Sequence, residues 1–292
     1  MRQGGNALPA IGFAVAACFL FAALDTLSKY VVQTVPVLMA VWVRYMMQAV
    51  LSSAFLLPVH GSAVWRSAQI RLQIVRGVLL VLSTILAVLS VQRMPVADFV
   101  AIIMLTPVVV TVLSATIFAE RVSPAQWACV LLGFVGALLI MQPGGPRFGW
   151  ATLFPLGCMA AAVGYQMLSS HLGKTENPAT VHFYSMWTGA LVGTLLLPWG
   201  WSTGHSPWVW FLMLMMGATG AIGHFLLVLA YQRAPATVVV PYMYSQVGFA
   251  VVFGWMVFGD LPGQWVTVGI SLVILSGVGN AWQLRRDELP VR

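Results

Sequence analysis

Apolar runs of roughly twenty residues, the length that crosses the hydrocarbon core of a bilayer, recur ten times along the chain. They fall near 9–32, 37–57, 73–92, 96–118, 124–141, 149–170, 179–198, 208–231, 237–258 and 264–283. Helix breakers separate them: Pro36, Pro58, Pro95, Pro124, the Pro143-Gly144-Gly145-Pro146 run, Pro178, Pro198, Pro207, Pro235 and Pro262. The intervals are short, which leaves no room for a soluble domain. The pattern predicts an all-α integral membrane protein of ten transmembrane helices.

The pattern also repeats. Leu89-x-x-Gln92-Arg93-x-Pro95 returns as Leu229-x-x-Gln232-Arg233-x-Pro235, and the same offset carries Phe118 to Phe258 and Glu120 to Asp260. After a two-residue deletion, Pro124, Gln126 and Trp127 meet Pro262, Gln264 and Trp265. Five crossings separate the copies, so they face opposite ways, as in carriers built from inverted repeats. The expected organisation is a five-helix repeat over 1–143, a second over 147–284, and a cytoplasmic tail over 285–292.

Composition agrees. The chain of 292 residues is 60% hydrophobic and 7% charged, with a mean hydropathy of +0.91. Its first apolar run is too long for a signal-peptide core, so it is expected as a retained helix. Cys18, Cys129 and Cys158 each sit inside an apolar run and suggest neither disulfides nor a metal site. The net charge of +7 comes without the basic, aromatic-interleaved surface that a nucleic-acid partner needs. It orients the chain instead. Alternating the loops places Arg2, Arg66, Arg71, Arg76, Arg121, Lys174, Arg233, Arg285, Arg286 and Arg292 on the side of both termini, against Lys29, Arg93 and Arg147 opposite. The positive-inside rule then makes both termini cytoplasmic. Most tryptophans lie near span ends, where the ring prefers the headgroup region.

Two five-helix halves, each with a proline-interrupted fourth helix and an acidic residue at the following turn (Phe118-Ala119-Glu120-Arg121, then Phe258-Gly259-Asp260), resemble the EamA family of the drug/metabolite transporter superfamily. The resemblance covers essentially the whole chain. It departs at Val247, which stands where the first half has Pro107. The resemblance implies a ten-helix carrier of small metabolites in a bacterial inner membrane, many such carriers being amino-acid exporters and others moving riboflavin, S-adenosylmethionine or nucleotide sugars.

Candidate functional residues follow from the cost of polarity in a bilayer. A charge inside a span costs roughly 2.5–3.5 kcal/mol even on the lenient insertion scale. Asp25 and Lys29 share a face of the first span, and Arg44 lies at similar depth in the second, about 10 Å from the outer surface at 1.5 Å per residue. An Asp25–Arg44 or Asp25–Lys29 pair is the expectation, as a hairpin tie, an outer gate or an amphoteric substrate site. Pro107 and Pro241 each remove a helical hydrogen bond and free carbonyls near Ile103 and Thr237, which points spans four and nine at a cavity. Met104, Thr106, Tyr242, Tyr244 and Gln246 are expected near it, with Tyr165, Gln166, Tyr184, Trp187 and His224 on the opposite wall. His224 and Asp25 are the candidates for proton coupling.

There is no phosphate-cradling glycine loop, no Ser/His/Asp set, no metal spacing and no continuous polar stripe. These gaps disfavour an enzyme and a channel, and no cofactor or metal is expected. The sequence therefore predicts a secondary carrier, monomeric or weakly dimeric, exporting amino acids, aromatic or otherwise neutral, by rocking of its two halves. Its expected partners are a small-molecule substrate and the lipid bilayer, with no nucleic acid. Another metabolite carrier, or a non-transporting membrane sensor, is the alternative.

Overall fold

The computed structural model describes residues 8–103, 105–106, 109, 113, 123–141, 149–172, 175–233 and 242–288. Met104, Pro107, Pro241 and the side chain of Gln166, all singled out above, lie outside the described residues, as does Glu120.

Ten helices occupy the described residues, at the positions the apolar runs predict: α1 Leu8–Val31, α2 Val37–His60, α3 Ile70–Val91, α4 Val96–Ile103, α5 Pro124–Met141, α6 Leu153–Leu172, α7 Pro178–Leu196, α8 Pro207–Arg233, α9 Ser245–Phe258 and α10 Gln264–Glu288. Prolines open several of them, because a ring that lacks N–H loses nothing in a first turn whose amides have no intrahelical acceptor. Pro178 does so for α7, where Asn177 Oδ1 accepts from Ala179 N–H at 2.9 Å. Gly259 closes α9 in the left-handed region (φ 69°), returning its N–H to Trp255 O at 3.0 Å while Asp260 N–H reaches Gly254 O. Five segments, Leu8–Val31, Val37–Trp65, Ile70–Val91, Trp150–Ser169 and Pro207–Leu227, are by themselves long and apolar enough to cross a membrane.

Two compact units divide the chain, one of Met1–Thr26, Met94–Thr152 and Ile222–Arg292, the other of Leu27–Arg93 and Leu153–Ala221. Neither coincides with a sequence repeat. In the first unit α4 packs on α9 and α5 on α10; in the second α2 packs on α7 and α3 on α6 and α7. Each of these principal pairings joins a helix of the first half to one of the second.

The physical reason is close approach of backbones. In the first unit a side chain at Gly136 of α5 would sit 2.8 Å from Gly269 O of α10, and one at Gly269 2.6 Å from Gly136 O. In the second, the Tyr45 ring of α2 fills the space a side chain at Gly189 of α7 would need. With lipid as apolar as leucine, such van der Waals fit is what holds membrane helices together.

The repeat motif itself shows the exchange. In the second unit Arg93 Nη1 donates to Leu89 O at 3.2 Å and its guanidinium lies 5.0 Å from the Phe154 ring of α6. In the first, Arg233 Nη1 donates to Leu229 O at 3.2 Å and rides 4.8 Å from the Phe13 ring of α1. The third helix of one repeat thus meets the first helix of the other, twice.

Candidate functional site

The first unit brings two of the expected residues together. Gln246 Nε2, at the start of α9, donates to Asp25 Oδ2 of α1 at 3.2 Å. Aromatic packing positions the pair: Phe19 of α1 lies edge-on to Phe249 at 5.5 Å and to Phe253 at 5.2 Å, both on α9. Cys18 Sγ adds a weak donor to Met243 O at 3.5 Å. The carboxylate therefore takes a hydrogen bond from across its own unit, whereas Lys29 and Arg44 belong to the second unit. Gln246 belongs to neither the Asp25–Arg44 nor the Asp25–Lys29 pair that spacing suggests. Spacing within one hairpin could not reveal a partner 221 residues away.

Other candidates in this unit have structural work. Thr106 Oγ1 donates to Ile103 O at 2.6 Å. That carbonyl is the acceptor Pro107, having no N–H, cannot satisfy, so the freed group is met locally. Tyr244 is 3% exposed, its ring occupying the place a side chain at Gly277 of α10 would take. Its hydroxyl has no hydrogen-bond partner among the described residues. Tyr242 is 39% exposed. His224 of α8 lies 4.9 Å from the Phe21 ring, tilted against it.

The second unit holds a polar cluster that the sequence reading placed among the cytoplasmic loop charges. Arg76, in the second turn of α3, is 5% exposed. Its Nε donates to Ser169 Oγ at 2.6 Å, Nη1 to Val181 O at 2.9 Å and to Ser185 Oγ, and Nη2 to the Tyr165 hydroxyl at 2.8 Å. The guanidinium also stands 4.4 Å from the Tyr165 ring centroid. One turn earlier on α3, Gln73 is fully buried with both amide atoms unpartnered among the described residues. Tyr165, expected on a cavity wall, therefore serves a buried cation. A positive-inside count weighs each Arg alike. The signal was its spacing: Gln73 and Arg76, three apart, share one face of an otherwise apolar helix.

Tyr184 and Trp187 tie α7 to α2 and its following turn. Tyr184 hydroxyl donates to Trp65 O at 2.9 Å, and Trp187 Nε1 to Ser53 Oγ at 3.0 Å. Two further polar residues were missed. Asp98 is buried in α4 at 6% exposure. Glu176 Oε1 accepts from Ser67 Oγ at 2.9 Å and from the N–H groups of Ala68 at 2.9 Å and Gln69 at 3.1 Å, capping the entry to α3. Among the described residues no three His, Cys, Asp or Glu side chains gather as metal ligands.

This chain, whose halves exchange partners among the described residues, is matched twice over by one family model, the EamA-like transporter family, at residues 8–142 and 149–280. The chain belongs to the EamA-like transporter family. Membership makes it a multi-pass membrane transporter. The riboflavin transporter of Vibrio cholerae is 26% identical over 216 residues, covering 71% of this chain and 72% of the relative. The pseudopaline exporter CntI of Pseudomonas aeruginosa is 24% identical over 268 residues (90% and 92%). The S-adenosylmethionine uptake transporter of Rickettsia conorii is 22% identical over 270 (91% and 90%). A crystal structure of a protein 17% identical superposes with a TM-score of 0.67 over 96% of this chain and 98% of the other, which shows a shared fold. These relatives mark this EamA-like transporter as a carrier of small metabolites.

Proposed function

We propose that this EamA-like transporter is a secondary carrier of the bacterial inner membrane, with both termini cytoplasmic, that exports amino acids or amino-acid-like metabolites by alternating access. The observation that carries this reading is the Asp25–Gln246 pair: a carboxylate placed in an apolar helix and held by a neutral donor across its own unit. Such a group is costly in a bilayer and is retained where it does work, and a carboxylate is the natural partner of a substrate ammonium or of a coupling proton. Outward transport is supported by the exporter among the relatives, although another relative is named for uptake.

Flux of a labelled amino-acid panel in proteoliposomes, with and without an imposed pH gradient, tests the proposal. Saturable flux of one or more amino acids that Asp25→Asn lowers supports it. Flux of riboflavin with none of any amino acid would replace the cargo and keep the carrier. Riboflavin is the second reading because relatives named riboflavin transporters are 26–27% identical.

A further inference from the structure

Burying a guanidinium costs several kcal/mol unless hydrogen bonds and a counter-charge compensate. Arg76 has the hydrogen bonds. Among the described residues it has no ion pair, and its acceptors are two serine hydroxyls, one tyrosine hydroxyl and one backbone carbonyl. A purely structural crosslink between α3, α6 and α7 needs no charge, because an amide or hydroxyl could reach the same neutral acceptors without the desolvation of a cation.

The remaining donors point to what the charge serves. A guanidinium carries five N–H groups, and the four bonds above leave one, on Nη2. The Tyr165 hydroxyl, 2.8 Å from that same Nη2, accepts from Arg76 and enters no other hydrogen bond among the described residues, so its proton is also uncommitted. Two unused donors thus stand side by side, which is the arrangement that grips two oxygens of one oxyanion. The fully buried Gln73, with an unpartnered amide one turn along the same face of α3, offers a third donor.

We propose that Arg76, with the Tyr165 hydroxyl and the Gln73 amide, forms a binding site for an oxyanion, the carboxylate or phosphate group of the metabolite this protein carries. The site rests on the carrier reading only in taking its ligand to be the transported metabolite; the anion preference is a property of the second unit by itself. The hydroxyls of Ser169, Ser185 and Tyr165 supply neutral acceptors to the cation, and a bound anion adds a counter-charge without displacing them.

Equilibrium binding to the full chain in nanodiscs tests this with two matched pairs: benzoate against benzamide, and flavin mononucleotide against riboflavin. The wild type should prefer the anionic member of at least one pair. Preference in the first pair names a carboxylate, in the second a phosphate. Arg76→Gln should weaken the preferred anion by roughly tenfold or more, the range of a lost charged hydrogen bond, and leave its neutral partner within about twofold. Tyr165→Phe keeps the ring and removes one donor; it should weaken the anion by a few-fold, and it carries the test if Arg76→Gln does not fold. Absence of anion preference in the wild type, unchanged anion affinity in both variants, or equal loss for charged and neutral ligands would each overturn the site. Because the readout is binding, a chain that grips an anion yet moves no solute refutes the carrier reading alone. Amino-acid flux that Arg76→Gln leaves untouched, with anion affinity unchanged, refutes the oxyanion site alone.

Discussion

Gln246 Nε2 and Asp25 Oδ2 stand 3.2 Å apart, joining α1 to α9 within one compact unit. A half-buried carboxylate that loses this donor loses part of what offsets its charge, and charge-assisted hydrogen bonds of this kind contribute about 1.5–3 kcal/mol. Asp25→Asn and Gln246→Leu should therefore each reduce flux by at least tenfold in protein that still inserts, whereas Gln246→Glu, which puts a second carboxylate beside the first, should be the most damaging. Initial rates in proteoliposomes, normalised to inserted protein, check the order.

Thr106 holds the carbonyl that Pro107 leaves open. Thr106→Val keeps the shape and removes the donor, which should cost about 1 kcal/mol at this part-buried acceptor; Thr106→Ser should retain most of the stability. Thermal unfolding in detergent or nanodiscs distinguishes them. Equal melting temperatures for wild type and Thr106→Val would show that the carbonyl finds another donor.

Glu176 clasps the entry to α3 through Ser67, Ala68 and Gln69. Glu176→Ala releases one hydroxyl and two backbone N–H groups at a partly exposed site, a loss of about 1 kcal/mol after allowance for solvent. Limited proteolysis should then cut faster between residues 61 and 69, with cleavage elsewhere unchanged.

Close approach at glycines gives a graded test. Gly189→Leu forces Tyr45 out of its place and Gly136→Val meets the α10 backbone, so each should destabilise by about 1–3 kcal/mol or more, as overpacking does. Gly248→Ala, with nothing within 4 Å of the added carbon, is the matched control and should melt with the wild type.

Orientation has its own check. The distribution of arginine and lysine requires a C-terminal fluorescent protein to fold and shine in the cytoplasm and a C-terminal alkaline phosphatase to stay inactive. The opposite pattern would reverse the assignment of inside and outside for every loop.

Much of the architecture was legible in the chain itself. Apolar runs and prolines located the helices because a bilayer demands about twenty apolar residues per crossing and satisfies no stray backbone group. The matching Leu-x-x-Gln-Arg-x-Pro segments announced the repeat, and Arg93 and Arg233 bear it out with the same bond to the carbonyl four residues back. Of the candidate polar residues, Asp25 and Gln246 were both singled out, yet not as partners. Arg76 was counted as a loop charge, because a sequence rule for topology weighs a cation by its loop and is blind to what it is buried among.

By itself, then, the sequence determined that this is an all-α membrane protein with an internal repeat, since hydropathy and chain punctuation are local quantities. Only the tertiary structure decided which helices pair, that the compact units interleave the two repeats, that Asp25 meets Gln246, and that Arg76 sits among Tyr165, Ser169 and Ser185. Those are contacts between residues 89 to 221 positions apart. They are set by where glycines let backbones touch and where a buried charge can find donors and acceptors, and neither condition is written in the spacing of any one helix.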